Sequence, residues 1–366
     1  MGKDKDKPTQ LYPLAPAPHV GSAVTTQRMM IDVIVALLPL LAMAVILFRG
    51  QAIGLVVTCI VCCLATEEIF NRCRRKPSSL RDGSAVVTGL ILAFSLPASL
   101  PLWAAAMGSV GAIAIGKMVF GGLGQNIFNP AMVGRAFLMI CFATLMSGPA
   151  GDGKGAVWPE PQIDSLAHIE AVTRATPLAA GKLGPTDKAK AEAAGELNVY
   201  EKAVDIRRGK PEVLWDLFMG RVAGCIGETS ALAILVGGIW LIVRGTIWWG
   251  VPVAMLATIA AIGGVTNMID PERFMSPATH LLGGGAMFGA FFIATDLVTT
   301  PLSKTGRLIF AIGTGAIVMM IRLAGNYPEG VMFAILVMNS LSPLIDRLTK
   351  ARPTGLEPRM NTNKHE

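Results

Sequence analysis

Apolar and polar positions divide the chain into two blocks. Apolar runs at residues 30–48, 52–70, 84–99, 101–119 and 131–146 are separated by short polar connections. The pattern returns at 221–243, 249–265, 284–298, 307–323 and 331–345. About 17–25 apolar residues in a helix span the hydrocarbon core of a bilayer. The pattern therefore predicts an all-α integral membrane protein with about ten transmembrane helices. The runs at 84–99 and 101–119 are short and broken by Pro97 and Pro101. Between the blocks, residues 148–212 are polar and rich in Pro, Gly and Lys, as a partly ordered surface loop requires. The predicted organisation is an N-terminal segment 1–29, a first five-helix repeat 30–147, a loop 148–213, a second five-helix repeat 214–346 and a tail 347–366.

The two blocks resemble each other at a shift of about 200 residues, a spacing that means duplication of a whole bundle. Phe48-Arg49-Gly50 returns as Val243-Arg244-Gly245, the Gly-containing stretch 83–89 as 284–289, and Gly124-Gln125-Asn126 as Gly325-Asn326-Tyr327. An odd number of crossings per block makes the repeats inverted. In such folds, short or Gly/Pro-broken segments at matching positions in both halves point to the ligand site. Here those segments are 84–99 with 121–130, and 284–301 with 325–330.

Composition agrees with this class: 52% of residues are hydrophobic and 16% charged, with a formal net charge of +7. The basic residues cluster in short connections such as Arg72-Cys73-Arg74-Arg75-Lys76, where they orient helices, so the excess needs no nucleic-acid partner. Counting crossings from Lys3, Lys5 and Lys7, with no secretory cleavage pattern after them, puts both termini in the cytoplasm and the long loop outside. Trp248 and Trp249 read as interfacial anchors. The six cysteines lie almost all in apolar segments and the four histidines are scattered. Even Cys59-x-x-Cys62-Cys63 lacks further ligands nearby, so no protein-bound metal is expected.

Several polar groups interrupt the apolar pattern. The stretch Gly121 to Pro130 leaves backbone groups that must pack on protein or line a cavity. Asn126 and Asn129 within it either face a ligand, since an amide both donates and accepts, or cap a hairpin. Glu228 and Asp296 lie in apolar runs, where carboxylates by default mark proton or cation handling; the alternative is that each braces a broken helix. Arg135 and Arg322 either face phosphate or quinone oxygens or pair with these carboxylates. Asp32 reads as structural, and Glu67 and Glu68 as emerging among headgroups beside Arg72. In the polar loop, Pro177 biases Thr176 towards an extended backbone, which leaves its hydroxyl pointing away from the chain.

Together, Pro18-His19, Asp82-Gly83-Ser84 through Val87-Thr88-Gly89, residues 121–135, Ala175-Thr176-Pro177-Leu178, Gly227-Glu228-Thr229-Ser230 and Gly325-Asn326-Tyr327-Pro328-Glu329-Gly330 resemble the RnfD family. Members of that family are membrane subunits of the Rnf ion-translocating ferredoxin:NAD oxidoreductase and are similar to NqrB of the sodium-pumping quinone reductase. The resemblance implies a bacterial inner-membrane subunit that relays electrons in a complex coupling ferredoxin and NAD to Na⁺ or H⁺ transport. It implies FMN joined through its phosphate to Thr176 by a separate flavin transferase, with Thr173 nearby and Arg174, where the family often has Gly, able to neutralise the phosphate. It also implies a noncovalent riboflavin near Asn126 and Asn129. Iron–sulfur, ferredoxin- and NADH-handling work, and a second FMN, belong to partner subunits, because this chain has neither the four-cysteine spacing of a cluster site nor a dinucleotide fingerprint. The competing class is a flavin-free inverted-repeat transporter or channel that uses the same asparagines and carboxylates for substrate.

Overall fold

The computed structural model describes residues 25–146, 177–182, 197–222, 224–325 and 329–349. The helices are α1 Thr26–Phe48, α2 Gly50–Cys73, α3 Ser84–Phe94, α4 Leu102–Ile113, α5 Pro130–Cys141, α6 Ala143–Met146, α7 Pro177–Gly181, α8 Leu197–Arg208, α9 Pro211–Met219, α10 Ala231–Val243, α11 Gly250–Ile269, α12 Pro277–Leu282, α13 Ala286–Phe288, α14 Lys304–Ala324 and α15 Val331–Leu348. Wider π turns extend α4 over Ala114–Met118 and α13 over Gly289–Ile293. Among the described residues, α1, α2, α11, α14 and α15 are long and apolar enough to cross a membrane. Four shorter apolar helices, α3, α4 with its π turn, α5 and α10, accompany them. This is an all-α, multi-pass membrane protein.

Local chemistry sets the helix starts. Thr25, Asn129, Ser230, Ser276 and Ser303 each accept a backbone N–H in the first turn of the helix that follows, which satisfies donors that no helix can satisfy internally. Pro130 and Pro277 open α5 and α12, where a missing N–H costs nothing.

The pairing of helices in the first half recurs in the second. In the first half α2 packs on α3 and α4, and α4 on α5; in the second, α11 packs on α12 and α14, and α14 on α15. Contacts of α1 with α10 and of α5 with α15 join the halves. Small residues permit this closeness, as expected where apolar lipid removes the hydrophobic drive between helices. A Cβ on Gly89 of α3 would stand 2.9 Å from the Ile60 Cα of α2, and one on Gly134 of α5 would stand 2.7 Å from the Gly108 oxygen of α4. Many outward side chains are also apolar, Ile46, Val57, Val61, Ile140 and Met268 among them, as a lipid-facing surface requires.

The structure corrects the predicted spans at three places. The run 221–243 is helical only from Ala231. Gly220, at φ +95°, ends α9, and residues 225–227 pair with the broken end of α3 instead: Cys225 bridges Pro97, Ile226 N donates to Leu96 O at 3.1 Å and Gly227 N to Phe94 O at 2.8 Å. Interrupted segments of the two halves thus satisfy each other's backbone at membrane depth. The run 284–298 is a short helix and a π turn, and it is preceded by α12, which the apolar pattern missed. Glu67 does not emerge beside Arg72; it is fully buried, while Glu68 makes the exposed pair with Arg72 at 2.8 Å. Asp32 is structural as expected, accepting from Arg244 at 3.0 Å and Thr246 at 3.1 Å and so tying α1 to the end of α10.

Gly134→Val tests the close packing. Overfilling a helix crossing costs roughly 1–3 kcal/mol, so the solubilised variant should melt several degrees lower than wild type, whereas Gly122→Val, with open space around it, should reduce stability only through its backbone strain.

Candidate functional site

A cavity opens between the halves. Val87 and Ile91 of α3 and Leu241, Ile247 and Phe292 of the second half give it apolar walls. Ser84, Lys117, Asn126, Asn129 and Asp296 give it polar edges. Both asparagines predicted to face a ligand are therefore on its lining, and they behave differently. Asn129 is committed to structure: its Oδ1 accepts from Ala131 N at 3.1 Å and Met132 N at 3.3 Å, and its Nδ2 donates to Asp296 Oδ2 at 3.2 Å. Asp296 in turn accepts from Val298 N and the Thr299 hydroxyl, which holds the turn after the π segment. Asn126 donates from Nδ2 to Phe128 O at 3.1 Å, but its buried Oδ1 has no partner among the described residues. A stranded buried acceptor costs about 1–3 kcal/mol, so this atom calls for a donor from the cavity.

Lys117 stands on the same lining. It is 1% exposed, and its Nζ donates to Glu67 Oε2 at 2.7 Å and Ser84 Oγ at 2.6 Å. The three residues come from α4's π turn, α2 and the first turn of α3. Glu67 also accepts from Ser79.

A second charged group lies outside the cavity lining. The Arg135 guanidinium donates to Glu228 Oε1 at 3.2 Å, to Glu329 Oε2 at 3.0 Å and to Cys225 Sγ at 3.6 Å. Glu329 also accepts from Gly285 N at 2.6 Å. Ligand atoms of Cys225, Glu228 and Glu329 lie within 4.8 Å of one another, and the cation they already face is Arg135. Of the two arginines read as candidates, Arg135 thus pairs with carboxylates, whereas Arg322 donates to His280 O at 2.6 Å and Gly283 O at 3.2 Å, closing the carbonyl end of α12.

The polar excursion returns onto this second group. Thr173, Arg174 and Thr176 lie outside the described residues. The helix α7 that begins at Pro177 seats the buried Leu178 over Gly283 and Gly284; a Cβ on Gly284 would meet Leu178 Cδ1 at 2.6 Å and the Glu329 carboxylate. Lys182 donates to Gly325 O at 2.8 Å. Arg207 of α8 donates to Gly181 O at 3.2 Å and also to Glu272 O.

A family model described as NQR2, RnfD, RnfE matches residues 14–355. The chain belongs to the NQR2, RnfD, RnfE family. A relative in Acetobacterium woodii, named as a subunit of a Na(+)-translocating ferredoxin:NAD(+) oxidoreductase complex, is 42% identical, covering 93% of this chain and 94% of its own length. One in Clostridium ljungdahlii, named as a subunit of a proton-translocating ferredoxin:NAD(+) oxidoreductase complex, is 38% identical over 93% of this chain and 95% of its own. One in Stutzerimonas stutzeri, named as a subunit of an ion-translocating oxidoreductase complex, is 41% identical over 92% and 94% respectively.

Within this family member the predicted residues divide between two places. Asn126, Asn129 and Asp296 meet at the cavity, and Arg135 and Glu228 meet beneath α7. Lys117 and Glu329 escaped the sequence reading, and Glu67 was placed among the headgroups. A lysine inside the apolar run 101–119 was the available signal, because an intramembrane charge needs a partner. Arg135→Met should strand the buried Glu228 and the half-buried Glu329 and cost about 3–5 kcal/mol, seen as loss of monodisperse solubilised protein. Adding Glu228→Gln and Glu329→Gln should restore much of the yield.

Proposed function

We propose that this chain is the flavin-carrying membrane subunit of an ion-translocating electron-transport complex that passes electrons between ferredoxin and NAD, coupled to Na⁺ or H⁺ movement. The names of the relatives support the complex, and the Asn126 Oδ1, unpartnered among the described residues, beside a cavity with apolar walls carries the flavin reading. Two relatives of nearly equal similarity carry names with different ions, so the choice of ion is not common to the family. In this reading the chain lies in a bacterial inner membrane with both termini cytoplasmic and the loop 148–213 outside. Partner subunits supply iron–sulfur clusters, ferredoxin and NADH handling and a second FMN.

The residues fit a noncovalent riboflavin in the cavity. The pyrimidine edge of a flavin presents one N–H between two carbonyl oxygens, and Asn126 Oδ1 needs such a donor. The apolar walls suit the dimethylbenzene end. A flavin supplies electron acceptance and release one electron at a time, while the protein supplies placement and electrostatics. An FMN carried by Thr176 would be tethered two residues from Leu178, which is anchored over Gly283 and Gly284 beside Glu329. Thr173 and Arg174 would flank its phosphate, and a flavin transferase would install it. The flavin-free transporter reading has less to use, because Asp296 is already bonded to Asn129, Val298 and Thr299.

The attachment is tested on a denaturing gel. Thr176→Ala should give full-length inserted protein without protein-bound flavin fluorescence, and Thr173→Ala should retain some; fluorescence surviving in the Thr176 variant would overturn the assignment. Glu228 has a separate test. The amide of Glu228→Gln still offers Arg135 an acceptor, so assembly and bound FMN should stay near wild type while ferredoxin-linked NAD reduction and ion uptake in vesicles slow. Unchanged coupled activity in an assembled variant would remove Glu228 from ion or proton handling.

A further inference from the structure

We infer that Lys117 is a positioning residue that sets the reduction potential of the ring held in the cavity, an inference that rests on the flavin reading above. The first ground is direction. Lys117 lines the cavity and its partner Glu67 does not, so the pair presents its positive end to the cavity and keeps its negative end behind, in α2. Ser84, which accepts from Lys117 and donates to Asp82 Oδ1 at 2.6 Å, lines the same wall as the first residue of α3. The N-terminus of α5 reaches the lining through Asn129, Pro130 and Ala131. Helix N-termini carry partial positive charge, but each of these meets a carboxylate, Asp82 at Ser84 N and Asp296 at Asn129, which leaves the ammonium as the one full positive charge on the lining. The other charged residue on the lining is Asp296, whose oxygens are occupied by Asn129, Val298 and Thr299.

The second ground is that stability does not explain the pair. A buried ion pair is often no more stabilising than apolar residues of similar volume, and three helices already pack here through Ala85, Cys63 and Ile113. The third is the backbone that places it. Lys117 sits in the π turn Ala114–Met118, in which Val119 N reaches Ala114 O at 3.0 Å, and Arg74 donates to the Met118 carbonyl at 2.8 Å. Single π turns recur at functional sites because they redirect one side chain. Each electron added to a flavin adds one negative charge unless a proton follows. A cation fixed at the polar edge therefore favours the reduced form, and a carboxylate behind it moderates the effect.

The test is a dithionite titration of the purified complex, following the flavin that is released, not protein-bound, on denaturation. The double variant Glu67→Gln/Lys117→Met removes both charges without stranding either. It should keep the released flavin at wild-type stoichiometry while the equilibrium constant for its one-electron reduction falls about tenfold, a downward shift of about 59 mV. Glu67→Gln alone, which leaves the ammonium with an amide acceptor, should shift the midpoint upward. Opposite shifts support the inference, and should the double variant fail to assemble, the single variant carries the decision. Retained flavin with an unmoved midpoint would assign the pair to structure alone. A wild-type complex that releases no flavin would overturn the flavin reading itself.

Discussion

The Arg135 guanidinium is the contact through which the two halves of the bundle neutralise their buried charge. It leaves α5 in the first half and reaches Glu228 and Glu329 in the second, with its own exposure at 8%. A charge so placed cannot be stripped of partners, because breaking a buried pair leaves the other ion desolvated and uncompensated. Gly134 must consequently stay small so that α5 lies close against α4 and delivers Arg135, and the stretch 224–230 must stay non-helical so that Glu228 can arrive. The pairing of Ile226 and Gly227 with the end of α3 follows from that, since irregular backbone at this depth needs internal partners.

The same rule governs the cavity, with one acceptor left open. Asn129, Asp296, Ser84, Lys117 and Glu67 find their partners within the protein, across five segments, and of the two lining amides only the Asn126 oxygen lacks one among the described residues. The cavity thus has a polar edge that includes Asn126 and Lys117 between apolar walls. Beneath α7, by contrast, the charges face each other. The two places are therefore built differently: the cavity leaves one acceptor open, and the compact Arg135 group underlies the surface on which Leu178 of α7 rests.

Much of the helical architecture was legible in the hydrophobic runs, since spans such as Thr26–Phe48 and Lys304–Ala324 are set by length and apolarity alone. Asn129 as a cap was legible because Pro130 follows it. The failures have physical causes. Residues 221–230 are apolar enough for a helix, but their glycines and their pairing with α3 depend on a segment more than a hundred positions earlier. α12 is too short for periodicity to reveal. Glu67 and Lys117 are 50 residues apart, and neither shows its partner in the local sequence. Glu329 sat within a recognised motif, yet its role comes from Arg135 and Gly285, which the fold alone brings to it.

The central claim is that this chain holds a redox ring in the cavity beside Asn126. The most direct measurement is the flavin released by acid precipitation of the purified full-length chain, counted per polypeptide after protein-bound flavin has been separated. About one noncovalent flavin per chain is expected, lost when Asn126→Leu removes the open acceptor while the helices still fold. A well-folded wild-type chain that releases none, or an Asn126→Leu chain that keeps its full complement, would contradict it.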